Sequence, residues 1–355
     1  MRRSAGVEAG LGTFAVLLAL MMPAQAQIGE MKTFRDWIAG CDNTKSCTAL
    51  SLPDEGDENV AYLRLDRPAG PDGAPKLTLK LRREKLKPSF EIELALDGAP
   101  FPTAGHRFSA SSSDGETAEI ALGPTEIEAF IAGARKATAL TLKRDGQSQK
   151  LSLAGSVAAM LWIDEQQKRL NTASALIRKG AAGSVPPAPA LPAIPTKPAI
   201  GKPLTKAQSV ALVKAMRKEL NRRSPDSCED IPGGFTDTDG AFALYETTQL
   251  VVVACSRGAY NVSSQFWMVP ERDVRKAKPA EFEGSRDNEL VNADFDPKTG
   301  RVMFFAKGRG IGDCGTSGSY NWNGAYFAVL QLSAMGQCRL IPGDDWIELF
   351  RSVGN

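Results

Sequence analysis

Seven prolines, Pro186, Pro187, Pro189, Pro192, Pro195, Pro198 and Pro203, fall within residues 181–204, with mostly alanine between them. Proline locks its own φ and pushes the preceding residue toward extended backbone, so no helix interior or central strand runs through such a stretch. The composition predicts a semi-rigid spacer without a core of its own. Any compact body must then form on one side of it or the other. The flanking stretches, residues 27–180 and 205–355, are nearly equal, and each has the length of one domain. The expected organisation is a signal peptide over residues 1–26, a β-rich domain with two helices over 27–180, the linker over 181–204, and a β-rich disulfide-containing domain over 205–355.

The amino-terminal stretch alternates. Residues 60–67, 77–83, 90–96 and 119–122 place apolar side chains at every second position, the period of a strand with one buried face. Asp97-Gly98 and Asp145-Gly146 are turn signals, the second lying between Leu140-Thr141-Leu142 and Leu151-Ser152-Leu153. Thr125 and Glu128 have the spacing of a capping box, and Ile127, Phe130, Ile131 and Ala134 then recur at helical spacing. A longer helix is expected over residues 156–179, with Met160, Ile163, Leu170, Ala173 and Ile177 as its core-facing stripe and Gly180 as its stop.

Beyond the linker, Thr205 with Gln208 repeats the capping-box spacing, Val213, Met216 and Leu220 share a face, and Pro225 limits the helix. Residues 242–255, 265–269, 301–306 and 326–332 are rich in aromatic and β-branched side chains, which favours strands. Asp296-Pro297-Lys298-Thr299-Gly300 reads as a hairpin turn. The class is α+β and β-rich: two β-sheet domains with a few helices, joined by the Pro/Ala-rich linker.

Arg2 and Arg3, the apolar run 11–22 and Ala24-Gln25-Ala26 have the order of a cleavable secretory signal. The run falls short of the roughly 20 residues that span a bilayer, so no transmembrane anchor is expected after cleavage. Periplasmic or secreted localisation follows. Export also decides how the six cysteines are read, because an oxidising compartment favours pairing. If each domain folds as a unit, Cys41 pairs with Cys47. Three arrangements remain for Cys228, Cys255, Cys314 and Cys338, of which sequential pairing, Cys228 with Cys255 and Cys314 with Cys338, is favoured. No Cys-x-x-Cys exists and His106 is the sole histidine, so neither a zinc site nor a thioredoxin-like redox motif is expected. Basic and acidic residues balance within each half, 21 against 21 and 18 against 19, which argues against nucleic acid as a partner.

Catalytic patterns are sparse. A serine or cysteine nucleophile normally needs an imidazole base, and His106 is the only one available. Gly315-Thr316-Ser317-Gly318-Ser319 has its second glycine one position too early for a nucleophile elbow. Asp237-Thr238-Asp239-Gly240 lacks the ligand spacing of a calcium loop, and the adjacent acids Asp344-Asp345 do not set the separation that glycoside hydrolysis requires. The most distinctive segment is Gly308-Arg309-Gly310-Ile311-Gly312-Asp313-Cys314-Gly315. A strand is expected after it instead of a helix, so it is no dinucleotide loop, and no cofactor is expected. It reads first as a disulfide-pinned turn. As a functional candidate, Arg309 and Asp313 form a charged pair beside Trp322, a rim for an anionic or sugar-like ligand.

Phe34-Arg35-Asp36-Trp37, Cys41-Asp42-Asn43 and Cys47-Thr48-Ala49, together with residues 307–315, Trp322, Gly324 and Cys338-Arg339, resemble the domain-of-unknown-function family eleven-seventy-six. The first half also resembles the invasion-associated locus B family, a secreted β-rich domain with an early Trp and Cys. The first resemblance implies a Gram-negative exported protein and supplies no catalytic residues. The expected function is binding of an envelope component or a protein partner without chemistry. The alternatives are an envelope glycan hydrolase using acidic residues and an inhibitor of a secreted hydrolase.

Overall fold

A computed structural model describes residues 27–56, 59–83, 85–103, 106–225, 228 and 238–354. The expected signal peptide lies outside the described residues. The amino-terminal half supplies β1 (Glu30–Phe34), β2 (Trp37–Cys41), β3 (Cys47–Ser51), β4 (Val60–Arg67), β5 (Lys76–Arg82), β6 (Ser89–Leu96), β7 (Ala99–Pro100), β8 (Arg107–Ser111) and β9 (Thr117–Leu122). Helix α1 (Pro124–Ala134), the hairpin β10 (Ala139–Arg144) and β11 (Gln147–Ser152), and α2 (Ser156–Gln166) complete it. One sheet has the order β1-β2-β3-β4-β5-β9; a second runs β11-β10-β6-β7, with β8 also on β6. Alternation places Leu63, Leu65, Leu77, Leu79, Leu81 and Ile120 in one core with Phe130 of α1 and Met160 and Ile163 of α2. The same alternation turns Tyr62, Arg64 and Asp66 of β4 to the opposite face.

Two helix expectations are corrected. Thr125 and Glu128 form no capping box: Gly123 is the N-cap without a side-chain bond, and Pro124 opens the helix with its preset φ. Glu128 instead pairs with Lys179 at 2.9 Å. The helix expected over 156–179 ends at Gln166. Lys168 and Asn171 take φ of 54° and 64°, and the chain folds back so that the buried Asp164 accepts the N–H groups of Leu176 at 2.9 Å and Ile177 at 3.0 Å. Arg169, also buried, donates to Gln167 at 2.9 Å, to Ser174 at 2.8 Å and to the carbonyl of Gly70. Met160, Ile163 and Ile177 are buried as the stripe requires, but Ala173 is exposed.

After β12 (Ala193–Ile194) within the proline-rich segment, α3 (Lys206–Arg223) carries the complete Thr205/Gln208 capping box. The stretch expected at 242–255 is a hairpin, β13 (Gly240–Tyr245) and β14 (Thr248–Arg257), because Glu246 turns the chain at φ 41°. With β15 (Val262–Pro270), β16 (Lys278–Pro279) and β17 (Glu289–Val291) these make one sheet. A second sheet has the order β18 (Asp294–Asp296), β19 (Arg301–Lys307), β20 (Gly315–Trp322), β21 (Phe327–Met335) and β22 (Ile347–Arg351). Phe266, Phe282, Tyr320 and Phe327 fill the space between the sheets, with Phe282 and Phe327 stacked at 4.9 Å. Leu212, Val213, Met216 and Leu220 of α3 pack on Val251, Val253 and Val269 from the other side. The bridges are Cys41–Cys47, Cys228–Cys255 and Cys314–Cys338.

The halves share a further core. Ile38, Leu50, Leu52, Val60 and Tyr62 pack with Met335, Ile341, Trp346, Ile347 and Leu349. Asn43 exchanges two hydrogen bonds with the backbone of Arg351, at 2.9 and 2.8 Å, and the Arg351 guanidinium meets the buried carboxylate of Asp42 at 2.5 Å. The linker has no core of its own, since none of residues 181–204 is buried, but it is a strap and not a free spacer. β12 pairs in parallel with β23 (Val353–Gly354). Farther on, the N–H groups of Lys197 and Ala199 reach the carbonyls of Trp322 at 2.9 Å and Pro297 at 3.1 Å.

Candidate functional site

The loop between β19 and β20 is shaped by its glycines. A Cβ on Gly308 would lie 2.6 Å from the sulfur of Cys314, and Gly315 takes φ of 134°, so neither position admits a side chain without rearrangement. Within this loop Arg309 clamps Asp313 with two hydrogen bonds, 2.7 and 2.6 Å long, and donates to the carbonyl of Cys338 at 3.1 Å. Asp313 also accepts the N–H of Leu340 at 2.6 Å. Burial pushes the Asp313 carboxyl up, but the bonds from Arg309 and Leu340 outweigh it and hold the group below the usual carboxylate range. Leu340 sits at φ 64°, a left-handed conformation that costs a bulky residue about 1–2 kcal/mol. The charged pair therefore holds a strained backbone in place, and the side chain of Asp313 is only 4% exposed.

Trp322 is not beside this pair, contrary to the sequence expectation. It sits at the far end of β20, about 23 Å away by strand rise from Gly315, and is buried against Phe327. The aromatic-rich core of its own half outcompetes the rim for so large an apolar side chain.

The strained turn forms one wall of a cleft of about 500 Å³ between the halves. Ile311, Gly312, Asp313, Leu340, Pro342 and Gly343 line it on one side; Val60, Arg82, Arg83 and Glu116 line it on the other. Ile311 is 67% exposed at the loop tip. Arg82 is exposed and makes no hydrogen bond or ion pair among the described residues. Arg83 is buried and donates to the amide oxygens of Gln147 at 3.3 Å and Gln149 at 3.0 Å.

Beneath the cleft, the 3-10 turn at Gly343–Asp345 is clamped to the first half. Asp345 accepts from the hydroxyl of Tyr62, lies 3.1 Å from the ammonium of Lys80, and takes a hydrogen bond on its carbonyl from Arg64 at 2.9 Å. Burial, with the charge of Asp345 adding to it, pushes the Tyr62 phenol far up. Burial works against the charge of Lys80, yet Glu119 and Asp345 together hold its ammonium above the usual range. Asp344 is exposed, so the adjacent acids serve different purposes and do not face each other as a catalytic pair.

Other sequence candidates fall elsewhere. The ring of the half-buried His106 makes no hydrogen bond among the described residues. Asp239 pairs with Arg217 at 2.8 Å, while Asp237 lies outside the described residues. Asp313, Cys314 and Cys338 place ligand atoms within 4.8 Å of one another, but the two sulfurs are joined and neither is a thiolate. Arg82 and Leu340 were not singled out by sequence. One signal was available: Arg83 follows Leu77, Leu79 and Leu81 in the buried phase of its strand, where a cation needs partners.

A family model described as Protein of unknown function (DUF1176) matches residues 31–352. The chain belongs to this family. Among DUF1176 relatives, the uncharacterized protein YpfG of Escherichia coli (strain K12) is 31% identical over 349 residues, covering 94% of this chain and 93% of its own. The crystal structure of invasion associated protein b from Bartonella henselae is similar at 15% identity, with a TM-score of 0.28, over 39% of this chain and 99% of that one. Among the described residues, no helix of this DUF1176 protein is long and apolar enough to cross a membrane.

Proposed function

We propose that the protein is an exported, two-domain binding protein that holds an envelope component or a segment of a protein partner in the cleft between its halves, without chemistry on it. The observation that carries this reading is the cleft wall. A bridge and an ion pair with a buried carboxylate converge on the left-handed Leu340, and such strain persists where the surrounding structure over-determines it, often at a ligand clamp. Three disulfides support an oxidising compartment.

The test is co-sedimentation of the mature protein with isolated cell-envelope fractions, wild type against Ile311→Glu, with released soluble products followed over time. Ile311 is exposed, so the variant leaves folding alone. Retention lost in the variant, with no fragments released, is the expected result. Equal retention of both proteins removes the cleft from consideration. Fragments released by wild type and not by Glu116→Gln would put hydrolysis ahead of binding. The exposed Ile311 on a bridge-held loop also favours a second reading, inhibition of a secreted hydrolase, for which slowing of a lysozyme-type enzyme is the assay.

A further inference from the structure

The chemistry of the cleft narrows its ligand. Arg82 ends β5 and Glu116 immediately precedes β9, the strand paired with β5. The N–H of Arg83 bonds the carbonyl of Glu116 at 2.9 Å, so the two charges stand at one end of the same pair of strands. Facing them are Ile311, Leu340 and Pro342 from the other half. One wall thus offers a guanidinium without a partner among the described residues and a carboxylate; the other offers aliphatic surface.

We propose that this cleft recognises an acidic peptide segment, with a ligand carboxylate on Arg82, a ligand N–H or ammonium on Glu116, and an aliphatic side chain against Ile311 and Pro342. This inference rests on the reading of the cleft as a binding site. A guanidinium binds a carboxylate through two parallel hydrogen bonds, and in a partly enclosed site that pairing is strong. A phosphate dianion is a poorer fit, because Glu116 stands on the same wall as Arg82 and a phosphate dianion has no N–H to donate to it, whereas a peptide has. The cleft volume, about 500 Å³, is that of a site for a few residues and not for a folded domain. Arg309 does not compete for the role, since both Asp313 oxygens already hold it.

The experiment measures fluorescence anisotropy of the full mature protein with three labelled octapeptides, alternating leucine with glutamate, glutamine or lysine. Vesicles of phosphatidylglycerol and phosphatidylcholine in equal parts form a fourth arm. The glutamate peptide should bind about tenfold more tightly than the glutamine peptide, as a charge-assisted pair requires, and the lysine peptide more weakly than both. Arg82→Gln should erase the preference for glutamate while leaving thermal stability unchanged, because it keeps the strand backbone and the exposed Arg82 side chain makes no hydrogen bond or ion pair among the described residues. Equal binding of the glutamate and glutamine peptides overturns the acidic ligand. If that binding is still lost in Ile311→Glu, the cleft itself stands as a site. A glutamate preference unchanged in Arg82→Gln overturns the assignment of the anchor. Vesicle binding that depends on Arg82, with no peptide binding, overturns the peptide class in favour of an anionic headgroup.

Discussion

Replacing Asp345 by Asn tests whether the halves are bolted together beneath the cleft. The side chain of Asp345 is 14% exposed and accepts from both Tyr62 and Lys80, with a guanidinium nitrogen of Arg64 3.6 Å away. Asn keeps one accepting oxygen and presents an NH2 group where the second donor points. Lys80 retains Glu119, and Arg64 retains Asp66 at 2.8 Å, so no cation is left bare. The net loss is close to one charge-assisted hydrogen bond, about 2–3 kcal/mol. Asp344, one residue earlier and exposed, is the internal control: Asp344→Asn should change stability by less than about 0.5 kcal/mol. The assay is urea unfolding of the oxidised protein followed by tryptophan fluorescence, with Tyr62→Phe added to close a double-mutant cycle. A coupling of about 1 kcal/mol or more between Tyr62 and Asp345 is expected. Equal effects of the two Asp→Asn changes would refute the reasoning.

Removing the Cys314–Cys338 bridge by a double change to Ser should cost about 3.5 kcal/mol in the loop-entropy model for its separation of 24 residues, read from the shift in urea midpoint against the oxidised wild type. Thr205→Ala should cost about 1 kcal/mol through loss of the α3 capping box, by the same measurement. Two glutamates should respond oppositely to pH. Burial, with the charge of Asp42 adding to it, pushes the Glu348 carboxyl up, so its contribution is present below the ordinary glutamate range and is lost as pH rises through the raised value; Glu348→Gln should stabilise at neutral pH and change little at about pH 3. Hydrogen bonds from Arg222 and then Arg223 hold Glu219 down to about 2, so its contribution is lost only as pH falls toward that value, and Glu219→Gln should destabilise at neutral pH. Unfolding midpoints that shift in the same direction for both variants would contradict the assignments.

The strands were legible because their cores read one face at a time. Leu63 and Leu65, or Leu77, Leu79 and Leu81, alternate so regularly that position in the sheet follows from sequence. The opposite face was the difficulty. Tyr62, Arg64 and Asp66 look like a solvated strand face, and only the docking of the turn before β22 shows that Tyr62 and Arg64 meet Asp345 while Asp66 holds Arg64. The shortened α2 was hidden for a similar reason, since Asp164 and Arg169 are polar residues whose burial depends on backbone groups far along the chain. Among the candidate residues, Arg309 and Asp313 could be paired from their spacing, but their task of holding Leu340 could not. Trp322 was drawn to the wrong place because sequence distance from the loop says nothing about which end of a strand faces which core.

The hydrogen bonds between Asn43 and Arg351 join residues 308 positions apart. At ordinary rates of synthesis, roughly 15 to 60 s separate the appearance of the two partners. From the completion of β9 until the later partner arrives, Ile38, Leu50 and Val60 lack the second-half side chains that cover them, with only chaperones or neighbouring chains to take their place. A premature stop anywhere before Ile347, however late, removes Ile347 and Leu349 from that cover and the Arg351 bonds to Asn43 and Asp42 with them. Damage from nonsense changes should therefore be nearly flat along the second half of the coding sequence and should not fade toward its end.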